Sequence, residues 1–328
     1  MTTDARLLNV HLLEDPDASG LAHLQAQLAD GIRVTTGDSA PDDCHILVAG
    51  RPRREHLLAS PNLRAVIVPW AGIPESTREL MAEFPGLTLH NLHHNASATA
   101  EMAIALLLAA AKFIVPIDRR LRAHDWTPRY APSQSIGLDG KTAVVLGYGE
   151  IGRRVARACH ALGMSVLATR RTVVAPADEI AEIHPPADLR RLLARADALI
   201  VTLPLTPATT GLLGEAELSL LPRGALLVNI GRGAIVDEAA LYAALREGRL
   251  AAAGLDVWYN YPADEASRTN TPPSKFPFEE LENVVMSPHR GGDALDIETL
   301  RMTHLAELLN ATSRGEPMPN RVELEVGY

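Results

Sequence analysis

The chain has 328 residues, enough for two domains, and 47% of them are hydrophobic, enough for cores that are aliphatic because only 4% are aromatic. A formal net charge of −9 without a long basic run argues against nucleic acid or an anionic membrane as a partner. The two cysteines, Cys44 and Cys159, form no CxxC or zinc spacing, so we expect reduced thiols, a cytoplasmic protein and no metal site. We expect no signal peptide, and the apolar stretch 102–115 contains Lys112 and is too short to cross a bilayer.

The N-terminal part of the chain alternates short apolar runs with helix-like segments. The runs predict strands at residues 7–13, 45–49, 65–68 and 87–89. Segment 21–28 has a helical pattern, and this β/α alternation indicates a parallel sheet. A long helix rich in Ala and Leu is predicted from residue 98 to about residue 123. Residues 126–140, rich in Pro, Ser and Gly, are predicted to form a loop.

A glycine motif follows the next apolar run. The run 144–146 leads into Gly147, Tyr148, Gly149, Glu150, Ile151 and Gly152, and then into a helical pattern and a further apolar run at 164–169. Strand, G-x-G-x-x-G turn, helix and strand in this order predict a dinucleotide site, with the pyrophosphate at the helix N-terminus. The first glycine would allow the tight turn, the second the approach of the pyrophosphate, and the third the close packing of the helix.

The residues at the end of that second strand bear on the choice of cofactor. An NAD enzyme places Asp or Glu about 20 residues after the glycine motif, where the carboxylate binds the ribose 2′-hydroxyl. Here the residues are Thr169, Arg170, Arg171 and Thr172. Two cations and two hydroxyls suit a 2′-phosphate, so we predict NADP(H), with NAD(H) as the second choice.

The β/α alternation continues to the end of the chain. Further strands are predicted at 198–203, 225–229, 252–255 and 284–287, and helices near 188–195, 237–247 and 294–312. The predicted fold class is α/β, with two doubly wound parallel-sheet domains and a cleft between them that binds ligands. Residues 1–98 and 293–328 would form a flavodoxin-like substrate-binding domain, and residues 99–292 a Rossmann dinucleotide-binding domain.

Five motifs lie in a fixed order along the chain. They are the glycine motif, Leu-Pro-Leu-Thr-Pro-Ala-Thr-Thr-Gly-Leu at 203–212, Val-Asn-Ile-Gly-Arg-Gly-Ala-Ile-Val-Asp-Glu at 228–238, Gly-Leu-Asp-Val-Trp at 254–258 and Ser-Pro-His-Arg-Gly-Gly at 287–292. Their order and spacing resemble the D-isomer-specific 2-hydroxyacid dehydrogenase family over nearly the whole chain. The resemblance implies D-specific hydride transfer between nicotinamide and a 2-keto or 2-hydroxy acid, as in glyoxylate or hydroxypyruvate reductases, and a homodimer formed through the cofactor domains.

The resemblance assigns the chemistry to two residues. Arg232 would bind and polarise the substrate, because a guanidinium fork suits the carboxylate and carbonyl oxygens of a 2-keto acid. His289 would donate a proton to the carbonyl oxygen as the hydride arrives, or accept it in the reverse direction.

Further contacts follow from the same resemblance. Trp70, Ala71 and Gly72 would bind substrate, the backbone N–H groups of the last two holding its carboxylate. Asp256 would hold the nicotinamide carboxamide. The other implied cofactor contacts are Thr99, Leu203, Pro204, Thr209, Ile230, Gly231, Arg232, His289 and Gly291.

One position departs from the family pattern. The family usually has a Glu five residues after the aspartate of its Asp-Val motif, where it hydrogen-bonds the catalytic histidine and stabilises the protonated form. Here that position is Tyr261, which we assign to the substrate site and whose phenol, with a pKa of about 10, supplies no charge near neutrality. Three interpretations stay open: activity without a carboxylate, replacement by Asp264 or Glu265, or loss of catalysis. Without a carboxylate, His289 should titrate near or below about 6.5, and keto-acid reduction should be favoured at lower pH.

The main hypothesis is therefore an NADP-linked dehydrogenase of a small 2-keto or 2-hydroxy acid. One alternative is a non-catalytic binding protein that senses the dinucleotide. Another is a dehydrogenase of a different small anion, such as formate or phosphite.

Overall fold

The computed structural model describes residues 7–173 and 177–324, and the chain divides into two compact units. The first unit comprises Met1–Asn95 and Ala294–Tyr328, and the second comprises Ala96–Asp293. The sequence placed the corresponding boundaries at 98/99 and 292/293.

The first unit is built on a five-stranded parallel sheet. Its strands are β1 Leu8–Leu12, β2 Ile32–Thr36, β3 Ile46–Val48, β4 Ala65–Val68 and β5 Thr88–Asn91, and its first helices are α1 Ala18–Gln27, α2 Arg54–Leu58 and α3 Glu75–Ala82. The strand order β2-β1-β3-β4-β5 is the flavodoxin-like doubly wound order. The central strands β3 and β4 are continuous, fully buried apolar runs, as expected for a parallel sheet that is covered on both faces. The edge strand β2 is only half-buried, and its pattern did not predict a strand.

The second unit contains a seven-stranded sheet in which every pairing is parallel. Its helices are α4 Ala96–Lys112, α5 Ile114–Arg122, α6 Glu150–Ala161, α7 Leu189–Leu193, α8 Glu215–Leu218 and α9 Glu238–Arg246, and its strands are β6 Thr142–Leu146, β7 Ser165–Thr169, β8 Glu182–His184, β9 Ala198–Val201, β10 Ala225–Asn229, β11 Leu250–Leu255 and β12 Val284–Met286. The order is β12-β11-β10-β9-β6-β7-β8, so the winding direction reverses between β6 and β9. Ligands of doubly wound sheets bind outside the carboxyl ends of the strands at such a switch point.

The single long helix predicted from residue 98 to about residue 123 is wrong. Two helices, α4 and α5, meet at a 67° bend at Phe113, whose φ of 53° is left-handed. Pro116 explains the break: it lacks the N–H that would bond to the carbonyl of Lys112, and its ring would collide with that carbonyl in a continuous helix. Lys112 is the last residue of α4.

The last helix, α10 Ile297–Ser313, belongs to the first unit and packs against α1. Asn310 joins the two helices, since its amide donates to the carbonyl of Gln27 at 2.8 Å and its Oδ1 accepts the N–H of Ala29 at 2.8 Å. These bonds satisfy backbone groups at the end of α1 that the helix itself leaves unpaired. α10 thus lies in the same compact unit as the strands β1 to β5.

These sheets confirm the predicted α/β class with two doubly wound parallel-sheet domains. Within residues 7–173 and 177–324, no single helix is long and apolar enough to cross a membrane, and only the bent pair α4–α5 meets that test, by length and composition alone.

Candidate active site

The glycine turn lies at the carboxyl end of β6, where the winding of the second sheet reverses. Gly147 has a φ of +100°, and the hydroxyl of Thr202 donates to its carbonyl at 2.8 Å. A Cβ at Gly152 would lie 1.9 Å from the Gly147 carbonyl oxygen, which real Cβ atoms do not reach. Only glycine at 152 therefore lets α6 start this close to the turn.

The first turn of α6 is open at the place where a pyrophosphate is expected. A Cβ built on Gly149, the N-cap of α6, would meet nothing within 4 Å. Glu150 follows, and its carboxylate pairs with Arg153 and Arg154, the latter at 2.8 Å, which lowers the pKa of Glu150. Its negative charge is thus largely offset. The N–H groups of this turn and the absence of a side chain at Gly149 fit a bound dinucleotide phosphate.

Tyr148 does not reach outward from the turn. Its ring is buried, and its hydroxyl donates to Oδ2 of Asp178 at 2.7 Å. Burial raises the pKa of Tyr148 to about 12, so the phenol stays protonated. This bond ties the glycine turn to the segment before β8.

The predicted 2′-phosphate residues follow β7, the neighbour of β6. Arg170 and Arg171 are exposed. Thr169, in contrast, is buried, and its Oγ1 accepts the N–H of Gly147 at 3.2 Å. The prediction that this hydroxyl faces a phosphate is therefore not supported by its position, whereas both arginines and Thr172 lie on the surface at the expected edge of the sheet.

The segment after β9 forms a compact loop. Thr209 Oγ1 donates to the carbonyl of Pro204 at 2.7 Å and accepts the N–H of Thr206 at 2.8 Å. The hydroxyl therefore holds the loop that contains Leu203 and Pro204, and a direct contact with the cofactor stays a prediction.

Arg232 follows β10 on a turn that is fixed from both sides. Asn229, fully buried at the end of β10, accepts the N–H of Gly231 at 3.1 Å and donates to the carbonyl of Arg232 at 3.0 Å. A Cβ at Gly231 would lie 2.6 Å from the Leu203 carbonyl oxygen, and one at Gly233 would lie 2.2 Å from that of Trp258. The sequence did not single out Asn229, although it stands inside the third motif.

The guanidinium of Arg232 is partly withdrawn from solvent. Its Nη1 donates to the carbonyl of Gly231 at 2.7 Å. Burial lowers the pKa of the guanidinium, but the group stays charged because its ordinary pKa lies far above neutrality. The backbone of Ile230 links this turn to β9, because its N–H donates to the carbonyl of Val201 at 3.1 Å.

His289 follows β12 and has a left-handed backbone, with a φ of 59°. This conformation is uncommon outside glycine and is held by Asp256, which is buried at the end of β11. Asp256 accepts the N–H of Arg290 at 2.9 Å through Oδ1 and that of Gly291 at 2.8 Å through Oδ2. Its carboxylate thus anchors the histidine segment, while the predicted contact with a nicotinamide carboxamide stays a prediction.

Tyr261 contacts His289 directly. Its hydroxyl lies 3.0 Å from Nδ1 of His289, and it accepts the backbone N–H of Trp258 at 3.1 Å. The pKa of His289 is lowered, first by loss of solvent around the ring and then by the charge of Arg232, while Asp256 opposes the shift. The pKa of Tyr261 is raised, mainly by burial.

Neither carboxylate that could replace the family's glutamate reaches the histidine. Asp264 accepts the N–H of Ser267 at 2.9 Å, and Glu265 pairs with Arg268 at 3.0 Å. Arg290, which follows His289, pairs with Asp293. Of the predicted alternatives, replacement by Asp264 or Glu265 is therefore not observed, and Tyr261 itself occupies the partner position.

The predicted carboxylate loop lies in the first unit, after β4. The Trp70 ring covers Gly50, where a Cβ would come within 1.8 Å of the indole. Asn91 braces the loop by donating to the carbonyl of Ala71 at 2.6 Å. Ala71 and Gly72 are partly exposed ahead of α3.

Thr99 is buried in the first turn of α4. Met102 lies one turn later on α4. A Cβ built on Gly291 would lie 3.6 Å from Cγ of Met102. α4 therefore passes close to the histidine segment. The carboxyl ends of β10, β11 and β12 carry Arg232, Asp256 and His289 to one edge of the sheet.

Known proteins resemble this chain in sequence. Residues 104–291 match the model of the D-isomer specific 2-hydroxyacid dehydrogenase, NAD binding domain. A glyoxylate reductase from Korarchaeum cryptofilum (strain OPF8) is 38% identical over 233 residues, which cover 70% of this chain and 66% of that protein. A D-3-phosphoglycerate dehydrogenase from Mycobacterium leprae (strain TN) is 34% identical over 273 residues, which cover 83% of this chain and 49% of that protein. These matches thus span about two thirds and about half of the two relatives.

A solved structure extends the likeness to the whole chain. The D-isomer specific 2-hydroxyacid dehydrogenase from Xanthobacter autotrophicus Py2, in complex with NADPH and MES, superposes with a TM-score of 0.80 at 28% identity and covers 98% of this chain and 99% of its own. The chain belongs to the D-isomer specific 2-hydroxyacid dehydrogenase family, a family of nicotinamide-dependent oxidoreductases. The predicted resemblance is confirmed.

Proposed function

We propose that the protein is an NADP-preferring oxidoreductase that transfers a hydride between nicotinamide and a small 2-keto or 2-hydroxy acid of D configuration. The observation that carries the proposal is the placement of Arg232 and His289 at one sheet edge, in a unit whose glycine turn fits a dinucleotide. The glyoxylate reductases among the relatives support a small substrate.

The protein residues have separate tasks in this reaction. When bound, the nicotinamide supplies or accepts the hydride. Arg232 binds and polarises the keto group, and the backbone N–H groups of Ala71 and Gly72, beside Trp70, bind the substrate carboxylate. His289 donates a proton to the carbonyl oxygen in reduction and accepts it in oxidation.

The preference for NADP is supported by charge. Arg170 and Arg171 are exposed after β7, and no acidic residue stands at 169–172 to bind a ribose 2′-hydroxyl. The Xanthobacter structure holds NADPH. NAD remains the second choice for this chain.

We further propose that the protein forms a homodimer through α5. None of its residues is buried, although Ile114, Ile117 and Leu121 are spaced along one face and are each about half exposed. Trp126 and Tyr130, which follow, are more exposed still. A second copy would cover this apolar face. Ile117→Asp should convert a dimer to a monomer in light scattering, and a wild-type monomer would refute the proposal.

We also propose that the protein acts in the cytoplasm. Cys44 and Cys159 are both buried free thiols in different units, as expected for a reducing compartment.

The decisive experiment measures nicotinamide oxidation with glyoxylate, hydroxypyruvate, pyruvate and bulkier 2-keto acids, with NADPH and NADH side by side. Turnover that is faster with NADPH supports the proposal, and a preference for NADH would overturn the cofactor assignment alone. Tight NADPH binding without turnover of any acid would favour a dinucleotide-sensing protein. In the reverse assay, reduction of NADP+ or NAD+ on addition of formate or phosphite would favour a dehydrogenase of another anion.

A further inference from the structure

We propose that Tyr261 is the positioning residue of His289: its phenol oxygen accepts the Nδ1–H of the imidazole, which leaves Nε2 as the atom that exchanges a proton with substrate. This inference rests on the proposed function for the role of His289, but the hydrogen bond itself is independent of it. The phenol would orient the ring as a carboxylate does, without adding a charge.

The position of the phenol is fixed by its surroundings. The Tyr261 oxygen lies 3.0 Å from Nδ1 and also accepts the N–H of Trp258. The indole of Trp258 is in turn held by the carbonyl of Ser287, to which its Nε1–H donates at 2.8 Å. Ser287 lies two residues before His289. Trp258 therefore holds both the phenol of Tyr261 and the backbone segment that carries the imidazole.

The chemistry of the histidine decides the direction of the Tyr261 bond. Nδ1 faces the phenol, so only Nε2 is left to meet the substrate. In reduction the imidazolium loses its Nε2 proton to the substrate oxygen and becomes a neutral ring that keeps Nδ1–H. In oxidation a neutral ring can take up a proton at Nε2 only if its own proton is on Nδ1. Both directions therefore need Nδ1–H donated to Tyr261, with the phenol proton turned to solvent, to which the side chain is 49% exposed.

The charges around the ring make the difference from a carboxylate partner visible. Arg232, after β10, lowers the pKa of His289, and Asp256, after β11, opposes it. Arg290 on the histidine segment is paired with Asp293. Tyr261 adds hydrogen bonding but no charge, because its own pKa is raised from about 10. A glutamate at 261 would restore a negative charge at Nδ1.

Nitrogen NMR of the intact 15N-histidine-labelled protein tests the bond without turnover, with His289→Gln assigning the signal. We expect a neutral wild-type ring protonated on Nδ1, and a change toward the Nε2–H form in Tyr261→Phe. Tyr259→Phe is the matched control, because that phenol donates to the carbonyl of Val236 at 3.0 Å and should leave His289 unchanged. A wild-type ring protonated on Nε2, or a Tyr261→Phe spectrum identical to wild type, overturns the proposal.

The pH profile of keto-acid reduction gives the second readout. Tyr261→Glu should move the midpoint of kcat/KM up by about 1–2 pH units, since an adjacent carboxylate stabilises the imidazolium. Tyr261→Phe should lower kcat by about 5- to 10-fold, the usual effect of losing one hydrogen bond. An unmoved midpoint in Tyr261→Glu overturns the proposal. If no acid is turned over but the NMR results are as expected, the proposed function fails and the positioning of His289 stands.

Discussion

Asp256 and Gly291 are joined by a hydrogen bond of 2.8 Å, from the backbone N–H of Gly291 to Oδ2 of the buried carboxylate. A Cβ at 291 would lie only 2.7 Å from the same oxygen, so the glycine is required for this approach. The carboxylate binds the two N–H groups that follow His289, and this holds the histidine in its left-handed backbone conformation. Asp256 thus holds the backbone beside the acid–base residue His289, and Tyr261 contacts its imidazole ring.

Replacing that carboxylate should be costly. In Asp256→Asn one amide –NH2 would face a backbone N–H, leaving a buried donor without an acceptor. We expect a loss of about 1–3 kcal/mol in the free energy of unfolding, measured by urea denaturation. Asp293→Asn, which removes an exposed partner of Arg290, is the control and should change it by at most about 0.5 kcal/mol. Equal stabilities of the two variants would contradict the anchoring role.

The glycine turn allows cofactor binding to be separated from folding. Gly149→Ala places its Cβ in open space at an ordinary φ of −95°, so the melting temperature should stay near wild type. If the pyrophosphate approaches this backbone, NADPH binding measured by calorimetry should weaken by about tenfold or more, about 1.4 kcal/mol. Gly152→Ala is the contrasting variant, because its clash with the Gly147 carbonyl should reduce stability as well. Wild-type NADPH affinity in Gly149→Ala would place the phosphates elsewhere.

The arginines after β7 should act on one cofactor only. The double variant Arg170→Ser, Arg171→Ser should weaken NADPH binding by about 10- to 150-fold, as expected for the loss of one charge-assisted hydrogen bond, and leave NADH binding within about twofold. Arg246→Ser, on the surface of α9, is the matched control. Titration of both cofactors by fluorescence would show the difference. Parallel weakening of NADPH and NADH would mean that the arginines do not bind a 2′-phosphate.

Much of the fold and the order of the site could be predicted because the signals are local. The glycine turn needs only strand, turn and helix in sequence, and its close contact at Gly152 is reproduced in the structure. Pro116 was a local signal as well, and giving it weight would have ended the predicted long helix at Lys112. Edge strand β2 was missed because a half-buried strand carries a weaker apolar pattern.

What could not be predicted depends on long-range contacts. Tyr261 was recognised as a departure from the family pattern, but its bond to His289 spans 28 positions and depends on the N–H of Trp258. The burial of Thr169 against Gly147 likewise follows from the pairing of β6 with β7. A sequence pattern names such residues without fixing where their hydroxyls point.

The reaction should depend on pH through His289. Its pKa lies below the ordinary value of about 6.5, because of lost solvation and the charge of Arg232. Reduction needs the imidazolium, so kcat/KM should be highest at acid pH and fall as pH rises through that lowered pKa. Oxidation needs the neutral ring and should rise through the same midpoint. Initial rates in both directions between about pH 5 and pH 9 measure it, and a reduction rate that stays level over this range would contradict the assignment of His289.

The first unit should lose stability in acid because of His94. This side chain is 5% exposed, its Nδ1 has no partner, and burial together with the charge of Arg301 lowers its pKa to about 4. An unfolded histidine titrates near about 6.5, so protons favour the unfolded chain below that pH. The contribution of neutral His94 to the free energy of unfolding should therefore be fully present above about pH 6.5. The free energy of unfolding should fall by about 2–3 kcal/mol as pH drops to about 4, and below that pH this histidine causes no further loss.

Urea denaturation at pH 7 and at pH 4.5 measures the effect of His94. His94→Leu places an apolar side chain that cannot be protonated in the buried position, and it should lose less stability between the two pH values than wild type. His160→Gln, which alters an exposed histidine on α6, should show the full wild-type loss. A buried neutral histidine makes the free energy of unfolding depend on pH in this window. If His94→Leu and wild type lose the same stability between the two pH values, the acid sensitivity comes from other groups and the prediction for His94 is wrong.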